Sequence, residues 1–323
     1  MSNIDLIIKK HLEDTGEKIT LIKEIHKSLN GRLYKIKYKN KISILKLYKS
    51  EDKIRYHREK ESLYILNKNH FEFCPKLFYF NNFYKYLIIE ELKANKPIPN
   101  NKFKFDLAKY IENQQNYILP IDKNKMMNAS EAGFSIFEHL GIVKKKANFI
   151  LEKLTSQAQT KEACKFISHE IFPWLNSYEE QLRLNDNYFN KIKISEIIFS
   201  QSDIGVHNSF INNQKIYTFD YEYAGLDDPA KTICDLLINP DQIINKDDFN
   251  IVLEKISTLK IFKNAIDRFR IILPIYRLKW FLIILNGYLK EDKQGSEDSF
   301  KILMKAFDYL KNSEEIIQII KDF

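Results

Sequence analysis

The chain has 323 residues, enough for about two domains at about 100–200 residues each, and 29% charged and 44% hydrophobic residues describe an ordinary globular protein. With 8 Gly, 8 Pro and 13% aromatics it is neither collagen-like, linker-like nor mainly disordered, and three cysteines (Cys74, Cys164, Cys234) make no disulfide scaffold and suit a reducing cytoplasm. Lys and Arg outnumber Asp and Glu by 51 to 43, a net charge of +8, but the lysines are scattered and the longest basic run is Lys144-Lys145-Lys146, so the charge does not specify a nucleic-acid partner.

In chain order, residues 3–13 read as a short amphipathic helix, and MSNIDLIIKKHLEDTG lacks the pattern of a signal peptide. Residues 33–39 and 42–48 alternate apolar and polar side chains around the turn Lys39-Asn40-Lys41, which predicts two strands. A helix is predicted at 51–68, with Tyr56, Glu59, Leu63 and Leu66 on one face. Strands 76–80 and 84–90 follow around Asn81-Asn82. The Pro97- and Pro99-bearing segment 93–101 reads as a linker. Residues 1–92 are therefore expected as a strand-rich N-terminal lobe with one helix, and 93–323 as a larger helical lobe. Its helices are predicted at 103–115, 130–155, 160–185 and from Pro229 onward, with a hairpin at 207–220 turning at Asn212-Asn213. The most apolar stretch, 271–289, carries Arg277 and Lys279 in its middle and reads as a buried helix, not a membrane span. The expected fold class is α+β, two-lobed, with a ligand cleft between the lobes.

The stretch QSDIGVHNSFINNQKIYTFDYEYAGLDDPA holds the densest chemistry. Asp203 and Asn208 are five apart in a loop ahead of the hairpin, and Asp220 ends its second strand. A two-residue turn at Asn212-Asn213 sets Asn208 opposite Tyr217 and Asp220 three residues beyond, about 10 Å along the strand direction. An amide oxygen and a carboxylate at one end of a hairpin suit Mg²⁺, a hard cation that takes oxygen ligands. Asp203 is then expected beside that metal, within reach of a substrate hydroxyl. In the first lobe Lys46 lies mid-strand in ISILKLY and is costly on an apolar strand unless paired. Glu59 faces the core with Leu63 and Leu66, whereas Glu61 is turned about 200° away. Lys46 and Glu59 are the expected ion pair, poised to position phosphates. Gly31, in Asn30-Gly31-Arg32, is expected in a tight turn over those phosphates.

These residues resemble the aminoglycoside phosphotransferase/choline kinase-like superfamily, which has the protein-kinase-like fold. The resemblance runs from about Lys23 to Leu289. The resemblance implies ATP and Mg²⁺ as cofactors, Asp203 as catalytic base, Asn208 and Asp220 as metal ligands, Lys46 and Glu59 at the phosphates, and Ile89-Glu90-Glu91-Leu92 as the segment that holds adenine. AGLDDPAKTICDL and YRLKWFLIILN resemble a poorly characterised bacterial branch. The chain departs from the family pattern at Gln201, where a His is usual, at Ile204-Gly205-Val206-His207, and at Thr232, where an Asp is usual. Glu222, Arg277 and Trp280 are candidates for contact with a small polar acceptor, Arg270 and Arg277 sharing one helical face around Pro274. A non-catalytic nucleotide-binding pseudokinase and a protein kinase remain alternatives. The sequence does not specify the acceptor or the oligomeric state.

Overall fold

The computed structural model describes all residues except 1–2, 28–30, 94, 119–122, 124–125, 156–159, 290–295 and 322–323. After helix α1 (Asn3–Thr15), the alternating segments form β1 (Ile19–Lys27), β2 (Gly31–Tyr38), β3 (Lys41–Tyr48), β4 (Leu77–Asn81) and β5 (Tyr86–Glu90), with α2 (Lys53–Lys68) between β3 and β4. The strands make one antiparallel sheet in the order β1-β2-β3-β5-β4. Lys39 and Asn40, both at positive φ, close the β2–β3 hairpin as a two-residue turn. Period-two alternation then divides β3. Leu45 and Leu47 pack with Tyr34, Ile36 and Ile88 under Ile4 and Ile7 of α1, while Ile44 and Tyr48 join the opposite cluster with Tyr56, Leu63 and Leu66 of α2.

That second cluster continues into the rest of the chain, where Leu107, Ile111, Tyr221 and Leu236 belong to it. The change at residue 92 is thus one of secondary structure, not a break in the core. The C-terminal part holds α3 (Asn101–Ile118), α4 (Ile136–Thr155), α5 (Lys161–Phe166), a π-helical turn (Ile167–Ile171), α6 (Phe172–Leu182), β6 (Ile198–Ser200), β7 (Ser209–Asn212), β8 (Lys215–Thr218), β9 (Gly225–Asp227), α7 (Pro229–Ile238), α8 (Lys246–Ser257), α9 (Ile266–Leu285) and α10 (Ser296–Lys321). The helix expected from residue 130 begins at Ile136, because the Ser135 hydroxyl accepts the Glu138 N–H and caps it there. Helix α9 is apolar on nearly every side because α4, α7 and α10 all pack on it. Among the described residues no helix is long and apolar enough to cross a membrane.

Two short antiparallel ribbons carry the loops that matter. Strands β6 and β9 pair, which the sequence reading missed because three-residue strands have no measurable alternation. Strands β7 and β8 pair in a register two residues away from the expected one: Ser209 faces Thr218, and the Phe219 N–H donates to the Asn208 carbonyl at 3.1 Å. The turn is Asn213-Gln214, not Asn212-Asn213. A two-residue hairpin turn of this hand needs positive φ at both central positions, and these two supply it, at 48° and 62°. The slip places Asp220 one residue past the partner of Asn208 instead of three.

Candidate active site

Lys46 stands in the central strand β3, flanked by Leu33 on β2 and Leu87 on β5. Its ammonium contacts three carboxylates: Glu59 of α2 at 2.5 Å, Asp220 beyond β8 at 2.6 Å and Glu222 at 3.2 Å. The Tyr48 hydroxyl, two residues along the same face of β3, donates to the same Glu59 oxygen. Burial alone would lower the Lys46 pKa, but Asp220 and Glu59, with Tyr48 and Glu222 behind them, outweigh it and hold the ammonium well above its ordinary range. Burial pushes Glu59 upward against the pull of Lys46. Arg55 of α2 lies 3.9 Å from Glu222 and stacks over the Tyr223 ring. Two cations thus face three carboxylates, whose oxygens lie within 4.8 Å of one another. That hard-oxygen donor set, one formal negative charge in excess, fits a further cation such as Mg²⁺. Asp220 is the member open to solvent, with its side chain 36% exposed against 1% for Glu59.

The second half of the site is the loop between β6 and β7. The Asn208 amide donates to the Asp203 carbonyl at 2.8 Å and to its carboxylate at 3.3 Å. The other carboxylate oxygen of Asp203 lies 3.1 Å from His207 Nε2, and His207 Nδ1 lies 3.8 Å from Asp241. Burial would lower His207, but Asp203 and Asp241 outweigh it and raise its pKa. The two halves are joined by Gln201, whose amide donates to the Phe219 carbonyl and, at 3.1 Å, to the Asp220 carbonyl. The residue that replaces the usual His therefore ties the Asp203 loop to the Asp220 loop. Lys46 thus contacts Glu59 and Asp220, Asp203 contacts Asn208, and the two groups are linked through Gln201, whose carbonyl accepts the Asp203 N–H while its amide holds the Asp220 backbone.

The remaining expected residues have the following surroundings. Gly31 is the first residue of β2, opposite Tyr48, and a Cβ there would sit 2.3 Å from the Leu47 carbonyl oxygen; residues 28–30, on which the expected turn falls, lie outside the described residues. Glu90 ends β5, with its N–H donated to the Lys76 carbonyl and its carboxylate accepting the Lys76 N–H, and Leu92 follows half-buried on the way to α3. Glu222, considered for the acceptor, sits with Lys46 and Arg55. Arg277 is occupied by α10: it reaches Glu314 at 2.6 Å, Ser313 at 2.9 Å and the Leu310 carbonyl at 2.5 Å. Arg270 pairs with Asp267 at the surface. Trp280 is wedged between the two large apolar clusters, and Tyr276 is buried against His139. Trp174 stacks on Tyr178. Asp228 caps α7 through the Ala230 N–H and is held by Arg268 at 2.5 and 2.7 Å; although burial works to raise it, His139 and Arg268 hold it down at about 2. Two surface cavities, about 380 Å³ beside α10 and about 420 Å³ beside Asn100 and Gln242, contain none of Lys46, Asp203, Asn208 or Asp220.

A five-stranded antiparallel sheet with one helix on its inner face, set on a larger helical body with the loops of the site at their junction, defines the protein-kinase-like fold. Solved structures that share it over nearly the whole chain include small-molecule kinases. One is choline kinase from Cryptosporidium parvum Iowa II (TM-score 0.61, 14% identity, 98% of each chain). An ethanolamine kinase from Plasmodium vivax has TM-score 0.59 at 14% identity, over 99% of this chain and 89% of that one. The ADP-bound aminoglycoside phosphotransferase APH(2'')-Ib has TM-score 0.57 at 15% identity, over 95% of this chain and 99% of that one. At these identities the shared property is the fold. No family model matches the chain, and no curated protein matches it in sequence.

Proposed function

We propose that the chain is an ATP-dependent small-molecule kinase that moves the γ-phosphoryl group of ATP to a hydroxyl of a small polar acceptor, such as a sugar or an amino alcohol. The observation that carries this reading is the contact of one lysine with both Glu59 and Asp220, residues from two parts of the chain 161 positions apart, at 2.5 and 2.6 Å. Lys46, oriented by Glu59 and Tyr48, contacts the phosphates. Asn208 and Asp220, with Glu222 beside them, would hold Mg²⁺, which when bound offsets the charge of the transferring phosphoryl group. The segment Glu90–Leu92 receives the adenine. Asp203, whose side chain is 35% exposed, orients the acceptor hydroxyl and takes its proton, with His207 and Asn208 fixing both carboxylate oxygens. Most of the rate then comes from positioning and electrostatics. The reading is supported by the fold shared with kinases of choline, ethanolamine and aminoglycosides. Three free cysteines agree with a reducing, cytoplasmic setting. With Arg277 bound to α10, nothing argues for a negatively charged acceptor.

Thermal-shift titration with Mg·ATP, and phosphoryl transfer screened across neutral sugars, acidic sugars, amino alcohols and aminoglycosides, test the reading. Asp203→Asn is expected to keep Mg·ATP affinity and to lose about 100-fold or more in turnover. Nucleotide binding without turnover on any acceptor would make the chain a binding module instead; unchanged turnover in the variant would remove Asp203 as base.

A further inference from the structure

The segment LDDPAKTICD contributes none of the groups placed at the phosphates, the metal or the acceptor, yet it holds a lysine with no exposed surface. Lys231, in the first turn of α7 and without exposed surface, lies four residues after Asp227, which ends β9, and four before Asp235, one turn further along the same helix. Its ammonium is ion-paired with Asp227 and lies 3.7 Å from Asp235. It also donates, at 2.7 Å, to the hydroxyl of Ser202, the residue immediately before Asp203. That hydroxyl in turn donates to the Ser130 carbonyl at 3.2 Å, so its proton and a lone pair are both engaged. Ser202 has φ of +66°, a left-handed conformation uncommon for a residue with a side chain. Its own N–H donates to the Ser200 hydroxyl at 3.0 Å, and Thr232 Oγ1 approaches that hydroxyl at 3.4 Å. The turn that aims Asp203 is therefore held from outside by α7.

We propose that Lys231 is a positioning residue: through the Ser202 hydroxyl it latches the left-handed turn that sets the direction of the Asp203 carboxylate. Asp227 and Asp235 keep its ammonium charged and pointed at the turn. The carboxylate pair and the serine make a rigid strut from α7 to the loop, and a carboxylate misplaced by about 1 Å loses much of its effect on a bound hydroxyl. The catalytic half of this inference rests on the phosphotransferase reading; the latch itself does not.

Lys231→Met leaves Asp227 and Asp235 buried without their cation and is expected to unfold, so Ser202 carries the test. Ser202→Ala removes the hydroxyl and keeps a side chain at positive φ. Ser202→Gly removes the hydroxyl and makes the left-handed turn easier. Two readouts on the full chain are compared with the parent: hydrogen exchange of the amides in 201–208, and the kcat and KM of Mg·ATP hydrolysis with water as acceptor. Both variants are expected to exchange at least about tenfold faster in that segment alone, and to lose about tenfold in kcat with KM for Mg·ATP within about twofold. Parent-like exchange in Ser202→Gly would overturn the latch, because the turn alone would then suffice. Faster exchange with unchanged kcat would overturn its positioning role. A parent that binds and hydrolyses no Mg·ATP would overturn the kinase reading and the positioning role that rests on it, leaving the latch to be decided by exchange alone.

Discussion

Lys46 and Lys104 are both buried lysines, and they sit in opposite electrostatic worlds. Lys46 is surrounded by three carboxylates, and its pKa is held up. Lys104, on α3, is 3% exposed and donates to the carbonyls of Leu236 and Gln242. No carboxylate pairs with it among the described residues, and burial pulls it down to about 7. Carbonyl dipoles at the end of α7 welcome a cation but do not balance its desolvation. The difference separates two uses of a buried amine. Around Lys46 the carboxylates outnumber the cations and one of them, Asp220, faces solvent, which supports the proposal of a charged ligand there. Around Lys104 the acceptors are two backbone carbonyls, Leu236 near the end of α7 and Gln242 in the loop after it, which is the arrangement of a helix end being satisfied.

The most damaging way to break this contrast is to remove each amine in turn. Lys46→Met is expected to lower Mg·ATP-dependent turnover by about 100-fold or more and to abolish most of the thermal stabilisation by Mg·ATP. Lys104→Met should leave both within about twofold. Equal losses in the two variants would erase the distinction. The next test concerns how Lys46 is held. A double-mutant cycle of Lys46→Met and Glu59→Gln, read as Mg·ATP affinity, is expected to give a coupling of about 1–3 kcal/mol. Additive effects would reduce Glu59 to a bystander and leave Asp220 as the partner that matters.

A last test is the pH dependence that Lys104 contributes. Its folded pKa of about 7 lies below the ordinary value of 10.5, so between these values the unfolded chain binds the extra proton and stability rises with pH. Below about 7 the amine is charged in both states and the dependence vanishes. The melting temperature of the parent, taken relative to Lys104→Met, should therefore be flat in acid and climb from about pH 7 toward 10.5. A flat difference throughout would mean that the amine stays charged in the fold.

Lys46 and Glu59 were legible because strand and helix periods decide which way a side chain points before any partner is known. ISILKLY sets Lys46 opposite in direction to Leu45 and Leu47, and the helical period turns Glu59 inward with Leu63. Tyr48 was passed over, although the same alternation puts it on the Lys46 face. Other parts were hidden for a different reason. The Asn213-Gln214 turn competes with Asn212-Asn213 on nearly equal local terms, and the tie is broken only where Phe219 pairs with Asn208. Gln201 looked like a weakness in the loop, and its carbonyl partners at 219 and 220 were out of reach of any local rule. Arg277 and Trp280 were offered to an acceptor because they share α9 with little else polar, and what claims them is packing against α10 and between two apolar clusters.

By itself the sequence determined the strand-rich lobe, the helical lobe, the order of Lys46, Glu59, Asp203, Asn208 and Asp220 along the chain, and the direction in which the first two point. These follow from local periodicity and from the residue types that hard cations and proton transfer require. Only the tertiary structure decided that Asp220 reaches Lys46 across 174 positions, that Glu222 joins them, that Arg277 is spent on α10 and that Lys231 grips the turn before Asp203. A buried charge is costly unless it is paired, and the partner each one finds depends on which segments the common core of Tyr56, Leu66, Leu107 and Tyr221 brings together.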